Sequence, residues 1–345
     1  MSATDFELLA DVLRRHGLDG VSEEPFPNDG WSGASLTLLR RGPDRFVLKR
    51  DSLARDWIAQ ATSDGPILRE AWFAAHGASL PAPIRAPYLG VGTDGPDVGM
   101  LMPDLTDVLF DWDAPISIEA LEQVLDGLAE LHTRPWADSD SLQAGHWCPV
   151  QERITLICRA SLEQPSAARD AVGDRILPGW DAFDRLAPSE ARELVNALGT
   201  DSSPLVDALA RLPATLLHGD LKLANVGLES DGTIDLVDWQ MVSVAPVAVE
   251  LGWFLVSNVA SLPLQPGDVL GRYQDALHSR AERGPEVAGD WWAQVDCAIL
   301  VGLLLRGWRK GADAEARVVH ASGIPAADDL AWWCDRAVEA ARRVL

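Results

Sequence analysis

One part of the chain concentrates side chains that are able to do chemistry together. The segment LLHGDLKLANVGL is followed, four residues later, by TIDLVDW. Together they supply three carboxylates (Asp220, Asp235 and Asp238), a cation (Lys222) and an amide oxygen (Asn225). Phosphoryl transfer from a nucleotide needs such a set: a carboxylate to orient and deprotonate the attacking hydroxyl, hard oxygen ligands for Mg²⁺, and a cation to meet the phosphate charge.

The residue types assign a role to each of these positions. Asp220 fits the catalytic base, and Lys222 fits a ligand of the transferred phosphate. Asn225 and Asp238 fit the ligands of Mg²⁺, and Asp235 is the second choice as a metal ligand. The pattern H-G-D-x-x-x-x-N arises by chance about once in a thousand such sequences. The alternative is a polar hairpin turn closed by an Asx cap.

HGDLKLANV with IDLVDW resembles the catalytic and metal-binding segments of the aminoglycoside phosphotransferase family, a small-molecule branch of the protein-kinase-like fold. The resemblance implies an enzyme that uses Mg²⁺ and moves the γ-phosphate of ATP or GTP to a hydroxyl of a sugar, amino alcohol or antibiotic. Asp238 lies 13 residues after Asn225, which matches the family's spacing better than Asp235 does. His218 is expected to hold the loop rather than to transfer protons.

Two residues upstream resemble the family's phosphate-binding pair. Lys49, in Phe-Val-Leu-Lys, resembles the strand lysine that grips the α- and β-phosphates, and Glu70, 21 residues later, resembles the helix glutamate that pairs with it. The alternatives are a solvated lysine at a strand end and an ordinary exposed helix glutamate. Lysine is scarce here, with only Lys49, Lys222 and Lys310 among 29 basic residues, so two of three at such positions favour the functional interpretation.

Two further segments resemble the rest of a nucleotide site. In GMLMPDL, Pro103 would offer its carbonyl and Leu105 its N–H to the base, while Met102 would line the pocket; an ordinary linker is the alternative. The glycine-rich turn Asp29–Ala34 would cover the phosphates, because Gly30 and Gly33 allow close backbone approach and Ser32 can donate to phosphate oxygens. Many two-glycine turns are only turns.

Two residues depart from the family's pattern. Lys222 stands at a position that varies in the small-molecule family and looks more like the γ-phosphate lysine of protein kinases. Glu250 stands where the family usually has a buried aspartate that braces the catalytic loop. Glutamate is one methylene longer, which puts the bracing role in doubt without touching the chemistry.

Composition narrows the class of protein. The chain has 345 residues and a formal net charge of −23, with 47% hydrophobic and 23% charged residues, a globular balance. The acidic surplus argues against nucleic acid or a membrane surface as a partner. The longest apolar run, Ala298–Leu305, is too short to span a membrane. Four cysteines without CxxC spacing and no visible signal peptide favour a cytoplasmic protein.

The order of the expected strands and helices, together with the family resemblance, predicts an α+β, bilobal, protein-kinase-like fold. Residues 1–103 are expected to form a small β-rich lobe, with strands that include Ala86–Gly90 and Val98–Met102, and with a helix around Glu70. Residues 104–345 are expected to form a larger helical lobe, starting with a helix over Ile118–His132.

The insert 135–213 is expected to choose the acceptor, a small molecule with a hydroxyl. It carries 12 acidic and 7 basic side chains, no more acidic than the whole chain, so its charge does not favour a polycation. Trp136, Trp147 and Trp180 are either a stacking wall for a sugar ring or, more often, core residues. A non-catalytic nucleotide-binding scaffold stays open as an alternative, as does a protein kinase, although no A-P-E signature follows Asp238. The oligomeric state is left open.

Overall fold

The computed structural model has a mixed α+β architecture, which confirms the predicted fold class. It describes residues 6–27, 30–65, 68–76, 79–111, 114–134, 145–164, 167–280 and 283–345. Most strands lie before residue 103 and most helices after it.

The first part of the chain is dominated by strands. Its elements are β1 (Glu7–Leu8), α1 (Leu9–Arg15), β2 (Glu23–Pro25), β3 (Ser35–Arg41), β4 (Asp44–Asp51), α2 (Trp57–Ala61), α3 (Arg69–His76), β5 (Ile84–Arg85), β6 (Gly90–Asp94) and β7 (Asp97–Pro103). Six of the seven strands form one sheet in the order β1-β6-β7-β4-β3-β2.

The alternation of strand β4 places Lys49 on a defined face of this sheet. Leu48 packs in an apolar cluster with α1, and its neighbour Lys49 therefore points to the opposite face. Lys49 pairs in register with Met100 of β7, which packs in the cluster formed with α3. The lysine thus faces the helix that begins at Arg69 and carries Glu70.

The expected strand over Ala86–Gly90 is wrong. Strand β5 ends at Arg85 and β6 begins only at Gly90, because Pro87 interrupts the run and has no N–H to donate to a ladder. Strand β5 leaves the large sheet and pairs in parallel with Ile234 and Asp235 of the later strand β10. The expected strand Val98–Met102 lies within β7. The division of the chain at residue 103 stays a prediction.

The second part is mostly helical. Its elements are α4 (Ile118–Thr133), α5 (Val150–Thr155), α6 (Arg159–Leu162), α7 (Ala167–Leu186), α8 (Ser189–Thr200), α9 (Ser203–Leu209), β8 (Thr215–Leu217), β9 (Val226–Leu228), β10 (Ile234–Leu236), β11 (Ser243–Ala245), α10 (Val247–Ser257), α11 (Pro266–His278), α12 (Gly284–Ala288), α13 (Trp291–Glu315) and α14 (Ala326–Val344).

Helix α10 is the centre of this part. Every residue of Val247–Ser257 is buried, which explains why the segment is apolar on all sides rather than along one stripe. By contrast, α4 has a buried stripe and begins with Ser117, whose hydroxyl accepts a hydrogen bond from the Ala120 N–H. Two short antiparallel strand pairs, β8 with β11 and β9 with β10, lie before α10 in the chain. The loops after β8 and β10 carry the motif residues.

Among the described residues, no helix is long and apolar enough to cross a membrane.

Candidate active site

Gly219 allows the loop after β8 to turn sharply. Its φ is +84°, and a Cβ at this position would overlap the carbonyl oxygen of Met241. Any L-residue would therefore be strained and would push the loop away from the segment after β10. The backbone conformation therefore requires glycine at position 219, and the sharp turn there sets the position of Asp220.

Glu250 binds the same turn from the first turn of α10. Its carboxylate accepts hydrogen bonds from the backbone N–H of His218 at 2.9 Å and of Gly219 at 2.7 Å. His132 Nε2 lies 3.2 Å from the same carboxylate. Burial opposes the charged form, but the hydrogen bond with His132 and the nearby histidines hold the pKa of Glu250 below its ordinary value. The longer glutamate thus reaches the turn where the family usually has aspartate.

His218 makes two hydrogen bonds that specify a neutral ring. Its Nε2 donates to the carbonyl of Val237 at 2.9 Å, and its Nδ1 accepts the N–H of Asp220 at 3.3 Å. A proton on Nδ1 would face a second donor. Burial lowers the pKa of His218, which agrees with this arrangement. The imidazole therefore connects the loop that carries Asp220 to the segment that carries Asp238.

The Asp220 carboxylate is buried, with 7% of the residue exposed, and has two polar neighbours. Lys222 Nζ lies 3.2 Å from Asp220 Oδ2. Asn225 Nδ2 donates to the Asp220 backbone carbonyl at 2.9 Å and to Oδ2 at 3.3 Å. The cation and the amide hold the carboxylate in one orientation, which a base that receives a proton from a bound hydroxyl requires.

Asp238 adopts a conformation that is rare for residues other than glycine. Its φ of +68° lies in the left-handed region, a strain of roughly 1–2 kcal/mol that is typical of functional positions. Burial opposes its charged form, but the ammonium groups of Lys49 and Lys222 hold the pKa of Asp238 below its ordinary value. Asp238 is therefore a carboxylate at neutral pH.

Lys49 connects Asp238 to the first part of the chain. Its Nζ lies 2.7 Å from Asp238 Oδ1 and 2.6 Å from Glu70 Oε2. Burial opposes its charge, yet the two carboxylates raise the pKa of Lys49 above its ordinary value. Tyr88, which the sequence analysis missed, donates its hydroxyl to Glu70 Oε1 at 2.8 Å and fixes the glutamate.

The donor set suits a hard cation such as Mg²⁺. The Asn225 amide nitrogen is used by Asp220, so its oxygen is the atom left for a ligand. The second Asp238 oxygen has only a long contact, 3.4 Å from Gln240 Nε2. Within the described ranges, no group of three or more His, Cys, Asp and Glu side chains is placed to hold a metal. Carboxylate and amide oxygens are what Mg²⁺ binds when phosphates and water complete its shell.

The second choice as metal ligand, Asp235, is placed elsewhere. It is fully buried, and its two oxygens lie 2.5 and 2.6 Å from the Arg85 guanidinium. This bidentate pair fastens β10 to β5. The geometry thus separates Asp235 from Lys49 and Asn225, which are grouped with Asp238.

The glycine-rich turn is anchored to the loop before α2. The Trp57 backbone N–H donates to the Ser32 carbonyl at 3.3 Å, and its indole N–H donates to the Trp31 carbonyl at 2.7 Å. Gly33 has a φ of +102°, and a Cβ there would lie 2.5 Å from the Arg55 carbonyl oxygen. Gly30 is described but Asp29, the first residue of the predicted turn, lies outside the described residues.

The predicted base-binding segment lies at the end of β7. Met102 and Leu105 are buried, and Pro103 is the last strand residue, in register with Phe46. The next residue, Asp104, donates its N–H to the Arg45 carbonyl. Among the described residues no hydrogen-bond acceptor is found for the N–H of Leu105.

Other residues of the site were not found from the sequence. Arg153 of α5 donates its Nε to the Gly219 carbonyl at 2.7 Å, so the insert contacts the catalytic loop directly. Trp239 packs between Phe73 of α3, at 4.3 Å between ring centroids, and His218, at 4.5 Å. The dipeptide Asp238-Trp239 was visible, but no spacing signalled Arg153, which is 66 residues from its partner.

The tryptophans of the insert favour a structural role where they are described. Trp180 is fully buried, and its indole donates to the Ile157 carbonyl at 3.1 Å. Trp147 packs edge-to-face on Trp72 of α3. Trp136 lies outside the described residues.

The sequence pattern of the phosphotransferase enzyme family matches residues 25–289, which include all the residues above. The chain belongs to the phosphotransferase enzyme family. No curated protein matches the sequence.

Solved structures align with nearly the whole length of the chain. A proposed aminoglycoside phosphotransferase from Ralstonia eutropha JMP134 is 13% identical with a TM-score of 0.50 and covers 98% of both chains. A choline kinase from Cryptosporidium parvum Iowa II is 10% identical with a TM-score of 0.50, covering 97% of this chain and 94% of its own. A thermostable aminoglycoside phosphotransferase mutant, solved with ADP and hygromycin B, is 16% identical with a TM-score of 0.46 and covers 97% and 98%. At these identities the likeness concerns the fold.

Proposed function

We propose that this phosphotransferase moves the γ-phosphate of ATP or GTP to a hydroxyl of a small molecule. The observation that carries the proposal is that two groups of charged side chains lie on either side of His218, and we call the space between them the cleft. Asp220 is buried and oriented by Lys222 and Asn225, while Lys49 joins Glu70 to Asp238. This combination of an oriented base and a fixed cation next to oxygen ligands is what phosphoryl transfer to a hydroxyl requires.

Asp220 is the proposed base. The acceptor hydroxyl would donate to its carboxylate, and the proton would pass to that carboxylate as the acceptor oxygen bonds to the γ-phosphorus. The bond between that phosphorus and the oxygen of the β-phosphate breaks, and the nucleoside diphosphate leaves. Lys222, whose Nζ lies 3.2 Å from Asp220 Oδ2, would meet the charge on the transferred group.

Lys49 is the proposed ligand of the α- and β-phosphates, with Glu70 and Tyr88 holding it in position. Gly30, Ser32 and Gly33 would cover the phosphates, and the segment from Met102 through Pro103 to Leu105 would bind the base. Mg²⁺ held by Asn225 and Asp238 would neutralise charge on the nucleotide phosphates. His218 and Glu250 would act by positioning the loop. The names of the structural relatives support a small acceptor of the kind that choline kinases and aminoglycoside phosphotransferases use.

The test compares three aspartates of the two motif segments. Asp220→Ala should abolish acceptor-dependent nucleotide consumption while Mg·ATP still raises Tm, and a near-normal rate in this variant would overturn the proposed base. Asp238→Asn should abolish the dependence of nucleotide binding on Mg²⁺. Asp235→Asn, a change three residues away at the Arg85 pair, is the matched control and should keep its Mg²⁺ dependence.

A further inference from the structure

Two buried arginines near the catalytic loop have no carboxylate partner. Arg153 is 1% exposed and Arg306 is 8% exposed. Within the part of the chain that the structure describes, neither lies within ion-pair distance of an acidic side chain. Proteins rarely bury arginine unless it is paired, because a buried charge without a partner is unfavourable. Two buried arginines without an ion-pair partner therefore call for a functional explanation.

Both arginines lie on the Asp220 side of the cleft. Trp253 stands three residues after Glu250 on α10, and so on nearly the same helix face as the residue that holds the loop. The guanidinium carbon of Arg153 is 4.5 Å from the centre of the Trp253 ring, and that of Arg306 is 5.4 Å from it. Arg306 is also 5.0 Å from the ring of Trp308. We call Arg153, Trp253, Arg306 and Trp308 the arginine–tryptophan patch.

The patch borders the cleft. Arg153 holds the carbonyl of Gly219, the residue before Asp220, and Arg306 shares the Trp253 ring with Arg153. From the other side, Trp31 of the glycine-rich turn approaches Trp308 to 6.5 Å between ring centroids. A cavity of about 310 Å³ lies beside Trp308, between α7 and α13. The patch thus lies between the proposed base and the turn that would cover the phosphates.

The unsatisfied polar atoms of the patch are all donors. Arg306 Nε, Trp253 Nε1 and Trp308 Nε1 are buried and have no hydrogen-bond acceptor among the described residues. Such donors are unfavourable unless a ligand completes them. A ligand rich in acceptor oxygens would complete all three, whereas an ammonium group would complete none.

The acids near the patch are already committed to other cations. On α13, Asp313 pairs with Arg309 at 2.9 Å, and Glu315 pairs with Arg185 at 2.6 Å. On α14, Asp329 pairs with Lys310 at 2.7 Å. Tryptophan rings can bind a quaternary ammonium, but here guanidinium groups already lie over the rings of Trp253 and Trp308. A cationic acceptor would find no free carboxylate and no free ring.

We infer that the acceptor carries an anionic oxygen group, a carboxylate or a phosphate, besides the hydroxyl that is phosphorylated, and that Arg306 with the indole N–H groups of Trp253 and Trp308 binds this group. The inference rests on the proposed function, because it takes the Asp220 side of the cleft as the acceptor side. Arg153 lies over the Trp253 ring and adds positive charge there, while its Nε donates to the Gly219 carbonyl.

The test uses sets of acceptors that differ only in charge. One set is glycerol, glycerate, glycerol phosphate and aminopropanediol; the other is glucose, gluconate, glucose phosphate and glucosamine. Acceptor-dependent consumption of Mg·ATP and Mg·GTP should be at least about tenfold higher in kcat/KM for an anionic member than for its neutral twin, and lowest for the cation. The carboxylate and phosphate arms decide between the two anions.

A panel in which the neutral or cationic member is preferred, or in which no anion is consumed, overturns the inference. The proposed function is judged separately, by the rise in Tm with Mg·ATP in the wild type and by the loss of its dependence on Mg²⁺ in Asp238→Asn. An enzyme that consumes glucosamine or aminopropanediol best would keep the proposed function and lose this inference.

Variants of α13 provide the second arm. Arg306→Gln should raise KM for the anionic acceptor at least about tenfold and change that of the neutral twin much less. Arg336→Gln, at an exposed pair with Glu339 on α14, is the control and should change neither. Arg306→Lys keeps a charge, so it should retain part of the preference if Arg306→Gln does not fold by its Tm. An intact anion preference in a folded Arg306→Gln variant overturns the assignment.

Discussion

Lys49 Nζ lies 2.7 Å from Asp238 Oδ1, although 189 residues separate the two in the chain. The same ammonium lies 2.6 Å from Glu70. One buried cation therefore joins β4, α3 and the turn after β10. Because Lys49 is the shared ion-pair partner of both carboxylates, it fixes the distance between Glu70 and Asp238.

Lys49→Met should reduce both stability and turnover. The loss of the shared cation leaves Glu70 and Asp238 facing each other, which should lower the free energy of unfolding by about 3–5 kcal/mol. Nucleotide consumption should fall by a factor on the order of 10² or more, because the proposed cation for the nucleotide phosphates would be lost. Urea unfolding and steady-state kinetics on the same preparation measure the two effects.

Lys310→Met is the matched control for this substitution. Lys310 is equally buried and pairs with Asp329 at 2.7 Å, away from the Lys49 site. Its loss should lower stability by a similar amount while each folded molecule keeps its turnover. Equal losses of turnover in the two variants would mean that Lys49 acts only through folding.

Gly219→Ala should disrupt the catalytic loop. A Cβ would overlap the Met241 carbonyl, and alanine is strained at a φ of +84°, so the loop must shift and Asp220 with it. We expect a loss of more than about 3 kcal/mol in stability, together with loss of turnover. Gly232→Ala has a similar φ of +88° but no atom within 4 Å of the new Cβ, so it isolates the cost of the backbone conformation, about 1–2 kcal/mol. A Gly219→Ala enzyme that behaves like Gly232→Ala would contradict the close approach to Met241.

These contrasts show what the sequence could predict. The spacing within HGDLKLANV and IDLVDW was enough to select Asp220, Asn225 and Asp238, the proposed base and metal ligands, because both segments are short. The contact of Arg153 with Gly219 depends on how the insert folds back over the loop, and no periodicity encodes it. Strand β5 was missed for the same reason: its partner, Asp235, lies 150 residues from Arg85. The position of Arg153 and the pairing of β5 therefore depend on contacts between residues far apart in the chain, which local sequence propensity does not encode.

His218 should make stability depend on pH below neutrality. Burial lowers its pKa in the folded protein from the value of 6.5, so between pH 6.5 and the lower folded pKa the unfolded chain binds a proton that the folded chain does not. Its contribution is complete above pH 6.5 and is lost as the pH falls. The slope due to one such group is at most about 1.4 kcal/mol per pH unit.

His218→Gln removes the titrating ring and keeps an amide that can donate to Val237 and accept from Asp220. Urea unfolding at pH 7.5, 6.5 and 5.5 should show a shallower acid slope than in the wild type. His278, at the end of α11, offers a control histidine, and His278→Gln should leave the slope unchanged. Parallel slopes in the wild type and His218→Gln would rule out a neutral buried His218.

Asp51 should have the opposite pH dependence. It lies two residues after Lys49 and is buried, with the carboxylate of Asp56 nearby. Burial, followed by repulsion from Asp56, raises the pKa of Asp51 from 3.8 to about 7, and the pKa of Asp56 is raised as well. Between these two pH values the folded protein binds a proton that the unfolded chain does not, so stability falls as the pH rises from about 4 through 7.

Asp51→Asn should remove this loss, because the amide stays neutral and its oxygen can still accept the N–H of Ser52 that Asp51 accepts at 2.7 Å. Relative to wild type, the variant should therefore gain about 2 kcal/mol of stability on going from pH 5 to pH 8. Asp94→Asn, on the exposed β6–β7 turn, is the control and should show no such gain. If Asp51→Asn instead follows the wild-type curve at every pH, Asp51 is ionised throughout this range.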